Sequence, residues 1–165
     1  MEISVRKATM DDYRALCGLF EEIDALHRAH LPHLFQKPGG PPREPDYYSG
    51  LIADENIALF VAEAGGGLVG AVHAMVRESP ALPIFVPRRY AVVESIVVKS
   101  GFQNRGIGRA LMEKMQAWAV AKGAAAIELN VYEFNQTAIA FYESLGYQVV
   151  SRKMSKDPKN ERPAG

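Results

Sequence analysis

The letters Gln103-Asn104-Arg105-Gly106-Ile107-Gly108 fall between an apolar run over 91–98 and an amphipathic run over 107–122. Strand, glycine-bearing loop and helix in that order constrain the fold more than any other stretch of the chain. Gly106 and Gly108 have no side chains to hold a ligand away from the main chain. The first turn of the helix presents N–H groups that have no intrahelical partner. Aligned peptide dipoles favour negative charge at that end, by about 0.3–1 kcal/mol where exposed. The junction therefore reads as a cradle for phosphate.

Two common phosphate loops do not fit these letters. A nucleoside-triphosphate loop needs G-x-x-x-x-G-K-[ST]. Gly101 and Gly106 have that spacing, but Ile107 and Gly108 stand where Lys and Ser or Thr are required. A dinucleotide fingerprint needs G-x-G-x-x-G and an acidic residue about 20 positions on, at the end of the next strand. Leu111 holds the third glycine position, and Glu128 falls inside the next strand rather than at its end.

What is left is Q-x-x-G-x-G. Further on, a strand-like run over 126–131 precedes Asn135, Ala138, Tyr142, Gly146 and Tyr147, spaced N-x-x-A-x-x-x-Y-x-x-x-G-Y. In letters and order, both blocks resemble those of the GCN5-related N-acetyltransferase (GNAT) superfamily, by motif over residues 90–150 and by order of elements over most of the rest. The resemblance implies an α/β (α+β) fold. Its sheet is mixed but mostly antiparallel, with about six or seven strands, splayed between the fourth and fifth and flanked by about four helices. It also implies acetyl-coenzyme A as co-substrate, no metal, and acetyl transfer to a primary amine, on a small molecule or a protein. Transfer of another acyl group or O-acetylation stays open, as does a non-catalytic acyl-coenzyme A sensor or interaction module. A homodimer is also open, with no interface legible.

Composition fits a small enzyme of one domain. At 165 residues, 48% of them hydrophobic, the chain can bury a sizeable core. Lys plus Arg and Asp plus Glu number 19 each, so no global field draws it to nucleic acid or a membrane surface. Cys17 is the single cysteine, which excludes an intramolecular disulfide and a cysteine-based metal cluster. Residues 2–7 alternate polar and apolar, unlike a leader peptide, and no apolar run reaches the length of a membrane span, so a cytoplasmic protein is expected. One domain is expected over 1–154, followed by a polar, disordered tail over 155–165.

Alternation predicts a first strand over 3–8, and Thr9 with Asp12 reads as a short capping box for the helix that follows. That helix carries Tyr13, Leu16, Cys17, Phe20, Ile23 and Leu26 at helical spacing, and Pro32 stops it near His30. A proline-rich loop over 31–45 leads to a short helix over 46–53, capped by Asp46. Strands over 58–64 and 68–77 flank Gly65-Gly66-Gly67 as a hairpin. A strand over 90–98 precedes the glycine loop. Helix 107–122 turns Ile107, Leu111, Met115, Trp118 and Ala119 inward and ends at Gly123. A strand over 126–131, a helix over 137–145 ended by Gly146, and a last strand over 147–154 complete the pattern.

The resemblance assigns site residues. Main-chain amides of Ile96, Val97 and Val98 would pair with the pantetheine arm as an added strand. N–H groups from Asn104 to Arg109, in the loop Gln103, Asn104, Arg105, Gly106 and Gly108, would hold the pyrophosphate, with Arg105 or Arg109 adding charge. Both arginines read equally as solvated helix-start residues. Asn104 stands where the family usually has Gly or Arg, which matters little where the backbone makes the contact. Glu94 interrupts an apolar strand, where a carboxylate is costly unless paired. It reads as the base, direct or through water, or as a carboxylate anchored by Arg88, Arg89 or a backbone amide. Tyr142 reads as the acid toward the departing sulfur and as a cofactor contact, or as core packing with Ile139 and Leu145. Asn135 caps its helix and, by resemblance, also touches the cofactor. His27, His30 and His33 recur three apart, but Pro32 breaks the backbone and no further ligand completes a metal set. His27 and His30 with Phe35 instead read as acceptor-pocket residues.

Overall fold

The computed structural model describes residues 1–160. The chain divides into two compact units, Met1–Asn130 and Val131–Gly165.

In the first unit five strands form one sheet in the order β1-β2-β3-β4-β5: β1 (Ser4–Lys7), β2 (Ile57–Ala64), β3 (Gly67–Glu78), β4 (Arg89–Val98) and β5 (Ile127–Leu129). Neighbours are antiparallel except the parallel pair β4–β5. Gly65 and Gly66 adopt φ of 60° and 82°, the left-handed backbone a two-residue hairpin turn demands, and they set the β2–β3 register. Helices α1 (Tyr13–His30) and α2 (Pro45–Ala53) cover one face. Leu16, Leu19, Phe20 and Tyr48 pack there on Leu59, Val61, Ala71 and Val97. Helix α3 (Ile107–Ala121) covers the other face, with Ile107, Leu111, Met112, Met115 and Ala119 buried. Sandwiched this way, β2 and β3 are buried on both faces, which is why their apolar runs hardly alternate.

The Thr9–Asp12 box forms. The Asp12 carboxylate accepts from the Thr9 N–H at 2.8 Å and takes a bidentate pair of bonds from Arg6 at 2.8 and 2.9 Å. Helix α2 begins one residue earlier than its carboxylate suggests. Pro45 holds the first turn with Glu44 at the cap position, because a proline loses nothing where the N–H has no helical partner. Trp118 is half-buried rather than core and lines a surface hollow with Phe60, Lys7 and Lys114.

The second unit contains α4 (Gln136–Ser144). The Asn135 side chain accepts from the Ala138 N–H at 3.1 Å. At the far end Gly146, at φ 91°, lets its own N–H reach the Glu143 carbonyl at 3.0 Å and the Tyr147 N–H reach the Tyr142 carbonyl at 3.1 Å.

The strand count corrects the expectation of six or seven, since the described residues contain five. Residues 147–154 have the letters of a strand but form none. Val149 and Val150 are 77% and 86% exposed, so their alternation has no face to bury. The expectation for 155–165 falls partly on 161–165, which lie outside the described residues. Over 155–160 the chain makes one turn, closed by the Asn160 N–H on the Asp157 carbonyl at 3.2 Å.

Candidate active site

Strand β4 departs from regular pairing at one residue. His73 faces Ser95 and Ala74 faces Val93, so Glu94 is an extra residue on β4, a β-bulge. A bulge breaks the two-residue alternation, and here it brings Glu94 and its neighbour Ser95 to the wall of the same cavity. At the same place β5 stops. Only Ala91, Val92 and Val93 pair with it, opposite Ile127, Glu128 and Leu129. Beyond Val93, the β4 edge that carries Ile96, Val97 and Val98 has no strand beside it on that side among the described residues. This is the splay the resemblance implies, and it leaves an edge open to strand addition.

The cavity next to Glu94 holds about 170 Å³. Phe20, Tyr47, Tyr48 and Leu51 form its helical wall; Leu59, His73, Glu94 and Ser95 form its sheet wall, and Arg43 borders it. The Glu94 carboxylate accepts from Arg77 at 3.2 Å, rather than from Arg88, Arg89 or a backbone amide. Arg88 instead pairs with Glu128 at 2.8 Å, and Arg89 donates to Asn56 at 3.1 Å. The Arg77–Glu94 pair is half-exposed, so water screens it and it binds weakly. Arg43 donates two bonds to Asp24, at 2.7 and 3.1 Å, and sits 5.3 Å from the Phe20 ring centre. Its carbonyl accepts from the Tyr13 hydroxyl at 2.9 Å, which pins the end of the proline-rich loop to α1.

Two buried polar side chains at this cavity, His73 and Tyr48, are among its residues that carry no site reading in the sequence. His73 is buried, with no partner for Nε2, and burial lowers its pKa so that the ring is neutral at neutral pH. Tyr48 is 1% exposed, its hydroxyl also unpartnered, and burial pushes its pKa up. The signal for His73 was present: like Glu94, it is a polar residue inside an apolar strand. His27, His30 and Phe35 do not line this cavity. His27 stacks on Phe35 at 4.9 Å, burial lowers its pKa, and His30 Nδ1 lies 3.0 Å from the Leu26 carbonyl. Among the described residues no three or more His, Cys, Asp or Glu side chains gather as metal ligands.

The glycine loop connects β4 to α3. Asn104 takes φ 59° and Gly106 φ 82°, and left-handed residues recurring in a turn make a concavity of N–H groups suited to an anion. Asn is among the few non-glycine residues that tolerate this backbone. The Ala110 N–H reaches the Gly106 carbonyl at 3.0 Å, so residues 107–109 form the helix's first turn, whose N–H groups have no carbonyl to pair with inside the helix. Gln103 donates to the Val98 carbonyl at 3.3 Å, tying the loop to the end of β4. Ser100 donates from N and Oγ to Glu22 at 2.8 and 2.9 Å, tying it to α1. The Arg105 guanidinium lies 5.5 Å from the Phe102 ring, and Arg109 is exposed in the first turn. Main-chain donors, a left-handed turn and two flanking arginines fit a diphosphate.

In the second unit, burial together with the nearby Tyr147 pushes the Tyr142 pKa up to about 12. The two rings meet edge-on at 5.9 Å.

A mixed sheet opened between β4 and β5, with a glycine turn and a helix start beside the opening, defines an α/β protein with an open strand edge next to an anion-suited turn. The chain belongs to the Acetyltransferase (GNAT) family, whose model matches residues 20–147, and with that to the acyltransferase enzymes. It is 32% identical over 102 residues to the uncharacterized N-acetyltransferase MJ1207 of Methanocaldococcus jannaschii. That match covers 62% of this chain but 44% of the archaeal protein, less than half its length. It is 28% identical over 148 residues to the acetyltransferase ECA0875 of Pectobacterium atrosepticum, covering 90% of this chain and 89% of that one. The fold is similar to the tetramutant of BH1408 protein from Bacillus halodurans, at TM-score 0.88 and 24% identity over 93% of this chain and 99% of that one. It is also similar to the aminoglycoside N-acetyltransferase AAC(6')-Iy in complex with CoA, at TM-score 0.73 and 17% identity over 96% of each chain. Among the described residues no helix is long and apolar enough to cross a membrane.

Proposed function

We propose that the chain transfers the acetyl group of acetyl-coenzyme A to a primary amine held in the cavity beside Glu94. The observation that carries this is the bulge. It presents Glu94 at the wall of an acceptor-sized cavity, at the point where β4 loses its neighbour and opens an edge for the pantetheine arm. The residues fit the co-substrate. Gln103, Asn104, Arg105, Gly106, Gly108 and Arg109 form the diphosphate turn, and Ile96, Val97 and Val98 offer the strand edge.

The reaction needs a neutral amine. An alkylammonium with pKa near 10.4 yields one at pH 7 at a cost of about 4–5 kcal/mol. Glu94 takes the amine's proton, directly or through water. The nitrogen lone pair bonds to the thioester carbonyl carbon, the C–S bond breaks, the sulfur leaves with its electron pair, and the acylated nitrogen, cationic after attack, releases its remaining extra proton to solvent to give the amide. Tyr142, assigned by the family's motif, is protonated at pH 7 and donates a hydrogen bond to that sulfur. With a phenol near 12 and a thiol near 8.5, complete transfer of its proton is uphill, so the hydroxyl stabilises the thiolate and solvent protonates it. Asn135 is assigned to the cofactor on the same grounds.

Thiol release with a mixed amine library tests this. Glu94→Gln and Tyr142→Phe should each lower kcat by about 10²–10⁴ while coenzyme A affinity changes little. Coenzyme A binding without thiol release on any amine or alcohol would replace the transferase with a sensor. Release on alcohols alone would make it an O-acetyltransferase. Absence of coenzyme A binding would overturn both readings.

A further inference from the structure

Helix α3 covers the sheet unevenly. It packs chiefly on β2 and β3 and only grazes β1, the strand at one edge. The strip left over is a surface hollow of about 470 Å³, within the ~300–1,000 Å³ range of small-molecule sites. Val5 and Lys7 of β1 stand on its sheet side, with Phe60 of β2 opposite Lys7. Lys114, Ala117 and Trp118 stand on its helix side, spaced three and four apart and so on one face of α3. Phe60 is 2% exposed and only closes the floor. The surface a ligand meets belongs to Val5, Ala117, the two exposed lysines and the Trp118 ring, half-buried because β1 ends the sheet.

Charge at the hollow has one sign. Arg6, at its rim, is spent on Asp12 and Glu63, at 2.8 and 2.6 Å. Lys7 and Lys114 make no ion pair among the described residues, and no carboxylate among them lines the hollow. An ammonium group is a compact point charge that takes a carboxylate or a phosphate. An indole takes a second ring, offset or edge-on. A protein strand fits the place poorly. β1 is four residues long, and its Lys7 carbonyl already accepts from Arg6 at 3.1 Å, which leaves little main chain for an added strand. A nucleic-acid strand needs a longer basic track than two lysines supply.

We infer that the hollow between α3 and β1 binds a small aromatic anion, its ring on Trp118 and its carboxylate or phosphate held by Lys7 and Lys114. The site is separate from the glycine turn. Trp118 lies eleven residues along α3 from Ile107, about 16 Å of helix.

Trp118 is the chain's only tryptophan, so its emission reports this hollow directly. The full-length protein is titrated with phenyl phosphate, benzoate, benzyl alcohol and inorganic phosphate, with and without coenzyme A, by fluorescence and by calorimetry. Phenyl phosphate or benzoate should shift the emission and bind about 4–25-fold tighter than benzyl alcohol, from two exposed ion contacts worth a few-fold each. Either should also bind tighter than inorganic phosphate, which lacks the ring. The stronger of the two anions identifies the phosphoryl or the carboxylate form, and either order supports the inference. Lys7→Gln and Lys114→Gln should each weaken the aryl anion about 2–5-fold and leave benzyl alcohol unchanged, with an unaltered thermal melt as the check on folding. In Trp118→Ala, calorimetry should show aryl-anion affinity falling to that of inorganic phosphate. Equal affinities for the aryl anions and benzyl alcohol, affinities that neither lysine variant changes, or no response to any probe would overturn the inference. Displacement of the aryl anion by coenzyme A would also overturn it, by placing the probe at the glycine turn. So would binding of a blocked Glu-Phe-Glu-Phe peptide with no response to either aryl anion.

Discussion

At Gly70 helix α3 packs tightly on the sheet, and replacing this glycine should cost stability and coenzyme binding together. A Cβ on Gly70 would stand 3.0 Å from Leu111 Cδ1, 3.0 Å from the Val97 carbonyl oxygen and 3.1 Å from Ile107 Cγ2. None of these has an easy retreat. Leu111 and Ile107 are 0% and 1% exposed, and the carbonyl belongs to the β4 backbone where it pairs with β3. The added methyl must therefore push α3 outward by a few tenths of an ångström, and overpacking of this kind costs about 1–3 kcal/mol. The smaller entropy gain of replacing glycine, about 0.4–1 kcal/mol, offsets only part of it. For a chain of this size the net loss lowers Tm by roughly 2–8 °C. Ile107 opens α3 and follows Gly106, so the same push displaces the N–H groups of the glycine turn proposed to hold the diphosphate, and coenzyme A affinity should fall with Tm. Gly18 provides the opposite sign. It lies exposed in α1, and a Cβ there would meet nothing within 4 Å, so Gly18→Ala should stabilise by about 0.4–1 kcal/mol. Thermal melts of both variants with calorimetric titration of coenzyme A test the pair. If Gly70→Ala melts at or above wild type, the close packing of α3 on β3 is not as argued.

Asp12→Asn should destabilise by about 1–2 kcal/mol, a figure discounted because Arg6 is partly solvated. Arg6, chiefly through its hydrogen bonds, holds the Asp12 carboxyl below its usual range. Its contribution is present above the unfolded-state pKa near 4 and disappears as pH falls through the lower folded value. Acid denaturation followed by circular dichroism should therefore show a shallower loss of stability below about pH 4 in the variant than in wild type; identical profiles would exclude Asp12 as a source of the acid limb. Asn104→Val forces a β-branched residue into φ near 59°, at a cost of about 1–2 kcal/mol, whereas Asn104→Gly should be neutral. Calorimetry should show weaker coenzyme A binding for Val alone, and equal affinities would mean that the turn's backbone does not matter to the grip.

Much of the architecture was legible because it rests on local rules. Pro32 after His30, Gly65-Gly66 between two apolar runs, and Gly123 and Gly146 past helix ends each impose one backbone outcome, and the element bounds follow within a residue or two. Residues 147–154 were misread because periodicity describes the strand but not its partner. A run such as Val149-Val150 becomes a strand only when another edge lies beside it, and that is a property of the assembled sheet.

The same distinction explains which parts of the site could be read. The glycine turn is contiguous, so its chemistry stands in consecutive letters. The cavity is assembled from α1, α2, β2, β3 and β4, and no spacing rule links Phe20, Tyr48, His73 and Glu94. Its one sequence-level trace is polarity out of place, which picks out Glu94 and applies equally to His73 in Gly67–Glu78. A bulge is invisible to alternation counting, since one extra residue merely shifts the phase. Here that shift brings Glu94 to the cavity wall with Ser95. If the register ran unbroken from Arg89 to Val98, Glu94 and Ser95 would point to opposite faces, and the carboxylate at the cavity wall would have to come from another strand.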